Sequence, residues 1–425
     1  MKRYILPILL AALYLAAPAQ SISAISPGDF EEFDFEEIDQ HALNAPAWAE
    51  ESVEALAAYL VEPARNDLEK ARAIYRWITE NIDYDAEGIA TGSYGDMSPE
   101  GVLRSHVAVC EGYGGLFESL AVAAGLEAVK ISGYAKGYRY DLGSVFEGPT
   151  NHAWNAVKIN GTWYLLDSTW GAGYMDENDR FVPEFEDYHF LTPPDEFIYR
   201  HFPDDPRWQL LESPISKSEF ELLVYLRPAF FKYGLELKSN VECIIVIDNE
   251  TTISLFVPDD VMLTAELSGG DLKLPKSLTF AQRESDHYTV YVVLPDAGNY
   301  TLSLFAKRKG EPGNNEWAAD YRIAAKSGKD GRIGYPLAYG AFLEEGARLY
   351  MPMTYHLSSG NAQAFRLEVP GAGDVVVFNG DEFTHLTKEG EIFEGEVVLV
   401  EGDAKVYASY SGSESYDGLL KYTAL

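Results

Sequence analysis

Apolar residues recur at helical spacing twice in the first third of the chain. Leu116, Phe117, Leu120, Ala121 and Ala124 mark one amphipathic helix that begins near Cys110 and stops at Gly125. Ala71, Ile74, Tyr75, Ile78 and Ile82 mark another, opened by Asn66 with Glu69 three residues on, the spacing of a capping box. A shorter helix is expected between Ser52 and that one, and a Gly/Ser loop over 88–98 leads to the Cys110 helix. The period then changes from helical to two. Val129 and Ile131 alternate with polar or small residues in Glu127–Ala135, as in a strand, and two β-prone runs flank Asn160-Gly161, a two-residue type I′ hairpin signal. After residue 212 the chain reads as short alternating strands separated by turns. Asp296-Ala-Gly-Asn-Tyr300 resembles the tyrosine corner of an immunoglobulin-like sandwich.

These patterns divide the chain of 425 residues into a signal peptide (1–24), an acidic linker (25–50), an α+β domain (51–211), an immunoglobulin-like β-sandwich (213–325) and a second sandwich-like domain (326–425). The signal peptide is read from Lys2-Arg3, the apolar run Ile5–Ala17 and small residues around Ala19 and Ala24, which are rival cleavage points. It implies export, to a periplasm, cell surface or exterior, with no membrane insertion after cleavage. A net charge of −34 argues against nucleic acid or an anionic membrane as partner.

The candidate chemistry centres on Cys110. At a helix start, unpaired N–H groups and the positive end of the helix dipole favour a thiolate, the nucleophilic form, and Gly112, Gly114 and Gly115 keep the first turn free of bulk for an approaching substrate backbone. The alternative is a buried structural thiol. The hairpin supplies partners for the sulfur. If Ile159 pairs with Thr162, Trp154 faces Asp167, and His152, two residues from Trp154 on the same face, sits diagonal to Asp167 within reach of a His–carboxylate hydrogen bond. Among eight histidines, His106 is a rival base without a nearby carboxylate, His189 reads as a packed or edge residue, and His201 falls outside the expected machinery. The aromatic loop 136–151 is a candidate substrate rim. Asp176-Glu-Asn-Asp179 lacks the glycine and distal glutamate of a calcium loop and reads as a solvated turn. Cys243 reads as a strand-core residue, with pairing to Cys110 disfavoured, and no metal or cofactor is expected.

Val109-Cys-Glu-Gly-Tyr113, Asn151-His-Ala-Trp-Asn155 and Leu166-Asp-Ser-Thr-Trp-Gly171 resemble the signature blocks of the transglutaminase-like (papain-like fold) superfamily, and Phe190-Leu-Thr-Pro-Pro194 and Arg227-Pro-Ala-Phe-Phe231 are similar to its kyphoscoliosis peptidase branch. The resemblance implies a papain-like catalytic domain with Cys110 as nucleophile, His152 as base and Asp167 as orienter. Tyr113, Trp154 and Trp170, within these blocks, are candidate substrate-binding aromatics. The implied chemistry is acyl transfer or hydrolysis on protein or peptide amides through a thioester, giving a protease, a deamidase or a cross-linking enzyme. A surface binding module that uses its immunoglobulin-like domains is the alternative.

Overall fold

The computed structural model describes residues 33–270, 272–410 and 415–425. The expected signal peptide lies outside the described residues. In the α+β domain, helix Asp67–Asn81 forms the centre, with Ile74, Tyr75, Trp77 and Ile78 fully buried. Asn66 caps it by accepting from Glu69 N at 2.9 Å, a contact that stabilises a helix by about 1 kcal/mol. Only this half of the capping box forms, because the Glu69 carboxylate accepts instead from Arg65 N at 2.6 Å. Helices Val53–Leu60 and Cys110–Ala123 pack beside it.

Against these helices lies a four-stranded antiparallel sheet in the order Thr162–Leu166, His152–Ile159, Glu127–Ala135, His201–Pro203. The hairpin register is the expected one, Ile159 opposite Thr162 and Asn155 opposite Leu166. Asn160 (φ 50°) and Gly161 (φ 88°) both take the left-handed conformation of a type I′ turn.

Two local expectations are corrected. The 25–50 stretch is not a linker throughout: Glu36–Leu43 is a helix whose Ile38 and Ala42, one turn apart, are buried. Arg72 fixes it by bonding Asp39 through Nε (2.7 Å) and Nη2 (2.8 Å) while lying over the Phe35 ring. The 88–98 loop begins with a helical turn, Ala86–Thr91, capped by Asp85.

The C-terminal half consists of two β-sandwiches with separate cores. The first pairs a sheet containing strands Glu250–Phe256 and Tyr288–Val293 with one built on Val261–Gly269, Gly298–Arg308 and Glu316–Ala325. Its tyrosine corner is formed: Tyr300 donates to the Asp296 carbonyl at 2.9 Å. In the second, Ala372–Asn379, Gly402–Tyr410 and Asp417–Ala424 pair in one sheet, and Ala362–Glu368 and Ile392–Val398 in the other. Fully buried Cys243 precedes strand Ile244–Ile247, and both cysteines are free thiols.

Candidate active site

Cys110 is the first residue of helix Cys110–Ala123, and no side chain caps that helix. Of the glycines expected to keep this turn free of bulk, Gly112 serves packing within the domain. A Cβ on Gly112 would lie 2.8 Å from Ala108 Cβ and 2.9 Å from Val102 Cγ2, so this glycine lets the preceding helix Pro99–Ser105 pack close, whereas Gly115 faces open space.

The flanking residues of the His152 block are structural. The Asn151 side chain bridges Ala135 N (2.7 Å) and Ala135 O (3.1 Å), fixing where the strand begins. Asn155, fully buried, donates to Gly114 O at 2.9 Å and so ties the His152 strand to the Cys110 helix. Between these anchors His152 has one face of its ring on Trp170, centroids 5.2 Å apart at 27°. Its Nε2 contacts Asp167 Oδ2 at 2.7 Å.

Asp167 is fully buried and receives four hydrogen bonds. Oδ1 accepts from Thr169 N (2.9 Å) and Trp170 N (3.1 Å), capping the turn Ser168–Gly171, and Oδ2 accepts from His152 and from His201 Nε2 at 3.0 Å. His201 arrives from the far edge of the sheet and is clamped between Phe197 (3.9 Å, 14°) and Trp170 (4.3 Å). Gly133 lies in the strand between His152 and His201. A Cβ there would sit 2.3 Å from Trp154 Cη2, so the missing side chain is what lets the Trp154 ring cross the sheet to reach His201, 5.2 Å away.

The electrostatics divide one positive charge unequally between two rings. Burial, the largest influence on each group, opposes ionisation of all of them. For His152 the Asp167 carboxylate and the Cys110 sulfur overcome it and raise the imidazole to about 10. For His201 burial prevails, helped by repulsion from His152, and its value falls to about 4, leaving it neutral with a proton on Nε2 for Asp167. The donors around Asp167 hold it well below the usual carboxylate range. For Cys110, burial is outweighed by the charge of His152 and by hydrogen bonding from His152 and the Ala153 backbone, so the thiol lies below its ordinary value. Burial pushes the Cys243 thiol up.

Of the other expected residues, Trp170 covers His152, and Trp154 is 1% exposed beneath it. Tyr113 is not at a binding surface: it is fully buried and its hydroxyl donates to Ile82 O. His106 contacts Glu50 (3.3 Å) and the edge of Trp77 rather than forming part of this cluster. His189 is packed, as expected, and its carbonyl accepts from Asp167 N at 3.0 Å. Asp176 and Asp179 are engaged by Arg180 and Arg139 at the turn. The residue that sequence reasoning missed is His201. Among the described residues, His152, Asp167 and His201 are also the one group close enough to share a metal ion. Their 2.7 and 3.0 Å separations are hydrogen-bond lengths, with both ring nitrogens aimed at a single oxygen.

Residues 54–168 match the family model of the transglutaminase-like superfamily, and residues 217–336 match that of the KY-like, immunoglobulin-like domain. The chain carries a transglutaminase-like domain followed by a KY-like immunoglobulin-like domain. The chain is 34% identical over 279 residues to kyphoscoliosis peptidase of Mus musculus, covering 65% of this chain and 41% of the relative. It is 34% identical to the Homo sapiens kyphoscoliosis peptidase, with coverages of 64% and 40%, and 33% identical to hillarin of Drosophila melanogaster, with coverages of 58% and 32%. It therefore spans about two fifths of the length of the kyphoscoliosis peptidases it matches.

Proposed function

We propose that this transglutaminase-like chain is a cysteine enzyme that transfers acyl groups from protein or peptide amides, with Cys110 as nucleophile, His152 as general base and acid, and Asp167 as orienter. The reading is carried by one juxtaposition. A thiol at a helix start interacts with a histidine whose Nε2 is held 2.7 Å from a buried carboxylate.

The Cys110 thiolate attacks the amide carbonyl and the carbonyl π electrons move to oxygen. As the tetrahedral adduct collapses, the C–N bond breaks and the His152 imidazolium gives its proton to the departing ammonia or amine, leaving a thioester. Neutral His152 then takes a proton from water or from a lysine amine as that nucleophile attacks, and the Cys110 thiolate departs. Asp167 stays ionised throughout, which keeps the His152 tautomer fixed. The N–H of Cys110, at the positive end of the helix, is suited to the developing oxyanion. Water as acceptor gives hydrolysis or deamidation, and a lysine amine gives cross-linking. The apolar run Ile5–Ala17 supports an exported enzyme acting on substrates beyond the cytoplasm.

The test is intact-mass analysis of glutamine-containing peptides incubated with wild type and Cys110→Ala, with and without a primary amine. Deamidated, amine-bearing or cleaved peptide, absent with the variant, is the expected result. Unchanged peptide under every condition overturns the proposal.

A further inference from the structure

A row of alternating aromatic and guanidinium groups leads away from His152 toward the first sandwich. Trp170 stacks on His152, and Arg200 Cζ lies 4.1 Å from the Trp170 centroid and 5.5 Å from that of Tyr225. Beyond Tyr225, Arg227 Cζ sits 4.8 Å from that ring and 3.6 Å from Trp317. The row ends in a cleft of about 370 Å³ at the junction of the two domains, walled by Tyr140 and Leu142 of the 136–151 loop and by Tyr225, Arg227, Trp317 and Arg322 of the sandwich. That volume falls in the range of ligand-binding clefts.

The cations here are unusual for this chain, in which 67 Asp and Glu face 33 Lys and Arg. Arg227 is matched by Asp320 at 3.3 Å, and Asp320 is further occupied by Ser303 (2.7 Å) and Trp317 Nε1 (2.8 Å). Arg322, in the lining, and Arg200, which packs between Trp170 and Tyr225 next to the cleft and is not itself in the lining, have no such match. Arg200 Nε is buried without a hydrogen-bond partner, Arg322 reaches only the Leu142 carbonyl at 3.4 Å, and among the described residues neither forms an ion pair. A partly buried guanidinium without a counter-charge is costly unless an incoming group supplies one, and stacking on Trp170 and Tyr225 holds the Arg200 fork in place before that group arrives. Planar forks of this kind pair bidentately with anionic oxygens such as those of carboxylates. Asp141, also in the lining, is the one carboxylate there without an ion pair among the described residues.

We propose that the acyl-donor peptide carries Asp or Glu side chains close to its reacting residue, and that Arg200 and Arg322 recognise those carboxylates at the junction between the transglutaminase-like domain and the first sandwich. This rests on the acyl-transfer reading of the Cys110 site. It makes the sandwich part of the substrate cleft rather than an appended module, and it makes the 136–151 loop the opposite wall of that cleft.

The experiment separates binding from chemistry by using the full chain with Cys110→Ala. Two fluorescein-labelled peptides, each with a central glutamine, one flanked on both sides by three glutamates and the other by three serines, are titrated by fluorescence polarisation. The glutamate peptide should bind at least about tenfold more tightly at low salt, with the advantage shrinking as salt rises. Arg200→Gln and Arg322→Gln should each remove about fivefold of it, and Asp141→Asn, which relieves repulsion, should tighten it. Thermal melts of each variant report whether it is folded. Equal binding of the two peptides, no binding of either, or a preference untouched in the folded arginine variants overturns the proposal. Failure of the acyl-transfer reading shows separately, as wild type that binds the glutamate peptide but never alters its mass.

Discussion

His201 offers a sharp quantitative prediction, because its hydrogen bond stabilises the fold while its own titration takes stability away as pH falls. Replacing it with phenylalanine keeps a ring clamped between Phe197 and Trp170 but deletes the 3.0 Å hydrogen bond to Asp167. A hydrogen bond to a buried charge contributes about 1.5–3 kcal/mol, so His201→Phe should be destabilised by that amount at pH 7. The wild-type histidine also carries a liability. Its folded value is about 4, below the roughly 6.5 of an unfolded histidine. As pH falls from about 6.5 toward 4, the unfolded chain takes up this proton first, and wild type loses on the order of 3 kcal/mol that the variant, having no group to titrate, keeps. The deficit of His201→Phe should therefore narrow below pH 6.5 and close or reverse near pH 4.5. Urea unfolding of both proteins, followed by tryptophan fluorescence at half-unit pH steps, gives the difference directly and cancels the titrations of groups that do not interact with His201. On the proposed reaction, His201→Phe should also lower kcat on the order of tenfold with KM little changed, and His201→Gln, which restores an N–H donor, should recover part of it. A deficit that stays constant from pH 7 to 4.5 would refute the assignment of His201 as a neutral donor to Asp167.

Two further variants test the framework around the site. Lys136 is fully buried with Nζ donating to Leu223 O at 2.8 Å, and burial pulls it down to about 8. Because its folded value lies below its unfolded one, stability rises as pH climbs from about 8 to 10.5. Lys136→Met should thus melt higher than wild type at pH 7, by at most about 3 kcal/mol, and lose that advantage by pH 10.5, as read by differential scanning calorimetry. Gly133→Ala should cost about 1–3 kcal/mol, because the new methyl would press on Trp154 Cη2 and Phe202 O, each 2.3 Å away. Its tryptophan emission should shift as Trp154 moves, and an unchanged spectrum with an unchanged melt would contradict the packing described.

What the sequence disclosed and what it hid follow from how local each constraint is. The Asn160-Gly161 turn sets a register, and register places His152 beside Asp167 without any knowledge of the rest of the fold. The Cys110 helix was equally legible, since its apolar spacing and the Gly125 stop are local. Tyr113, expected at the substrate, lies one turn before Leu116 and Phe117, a spacing that would have placed it on the same apolar stripe and in the core position it occupies. His201 had no such signal. It reaches Asp167 from a three-residue strand at the opposite edge of the sheet, and sequence periodicity cannot assign a strand order. The helix Glu36–Leu43 has only two buried positions, too few to show a period among its charged neighbours. The tyrosine corner was legible because its hydrogen bond spans only from Tyr300 to Asp296.

The central claim is that the Cys110 sulfur is primed by His152, and the direct measurement is the rate of iodoacetamide alkylation at each cysteine as a function of pH, read by peptide mass mapping. Cys110 should react below the pH at which ordinary thiols do, Cys243 should remain unlabelled until the chain unfolds, and His152→Ala should return Cys110 to slow, alkaline labelling. Labelling of Cys110 that follows an ordinary thiol titration in wild type, or that is unaltered by His152→Ala, would contradict the account.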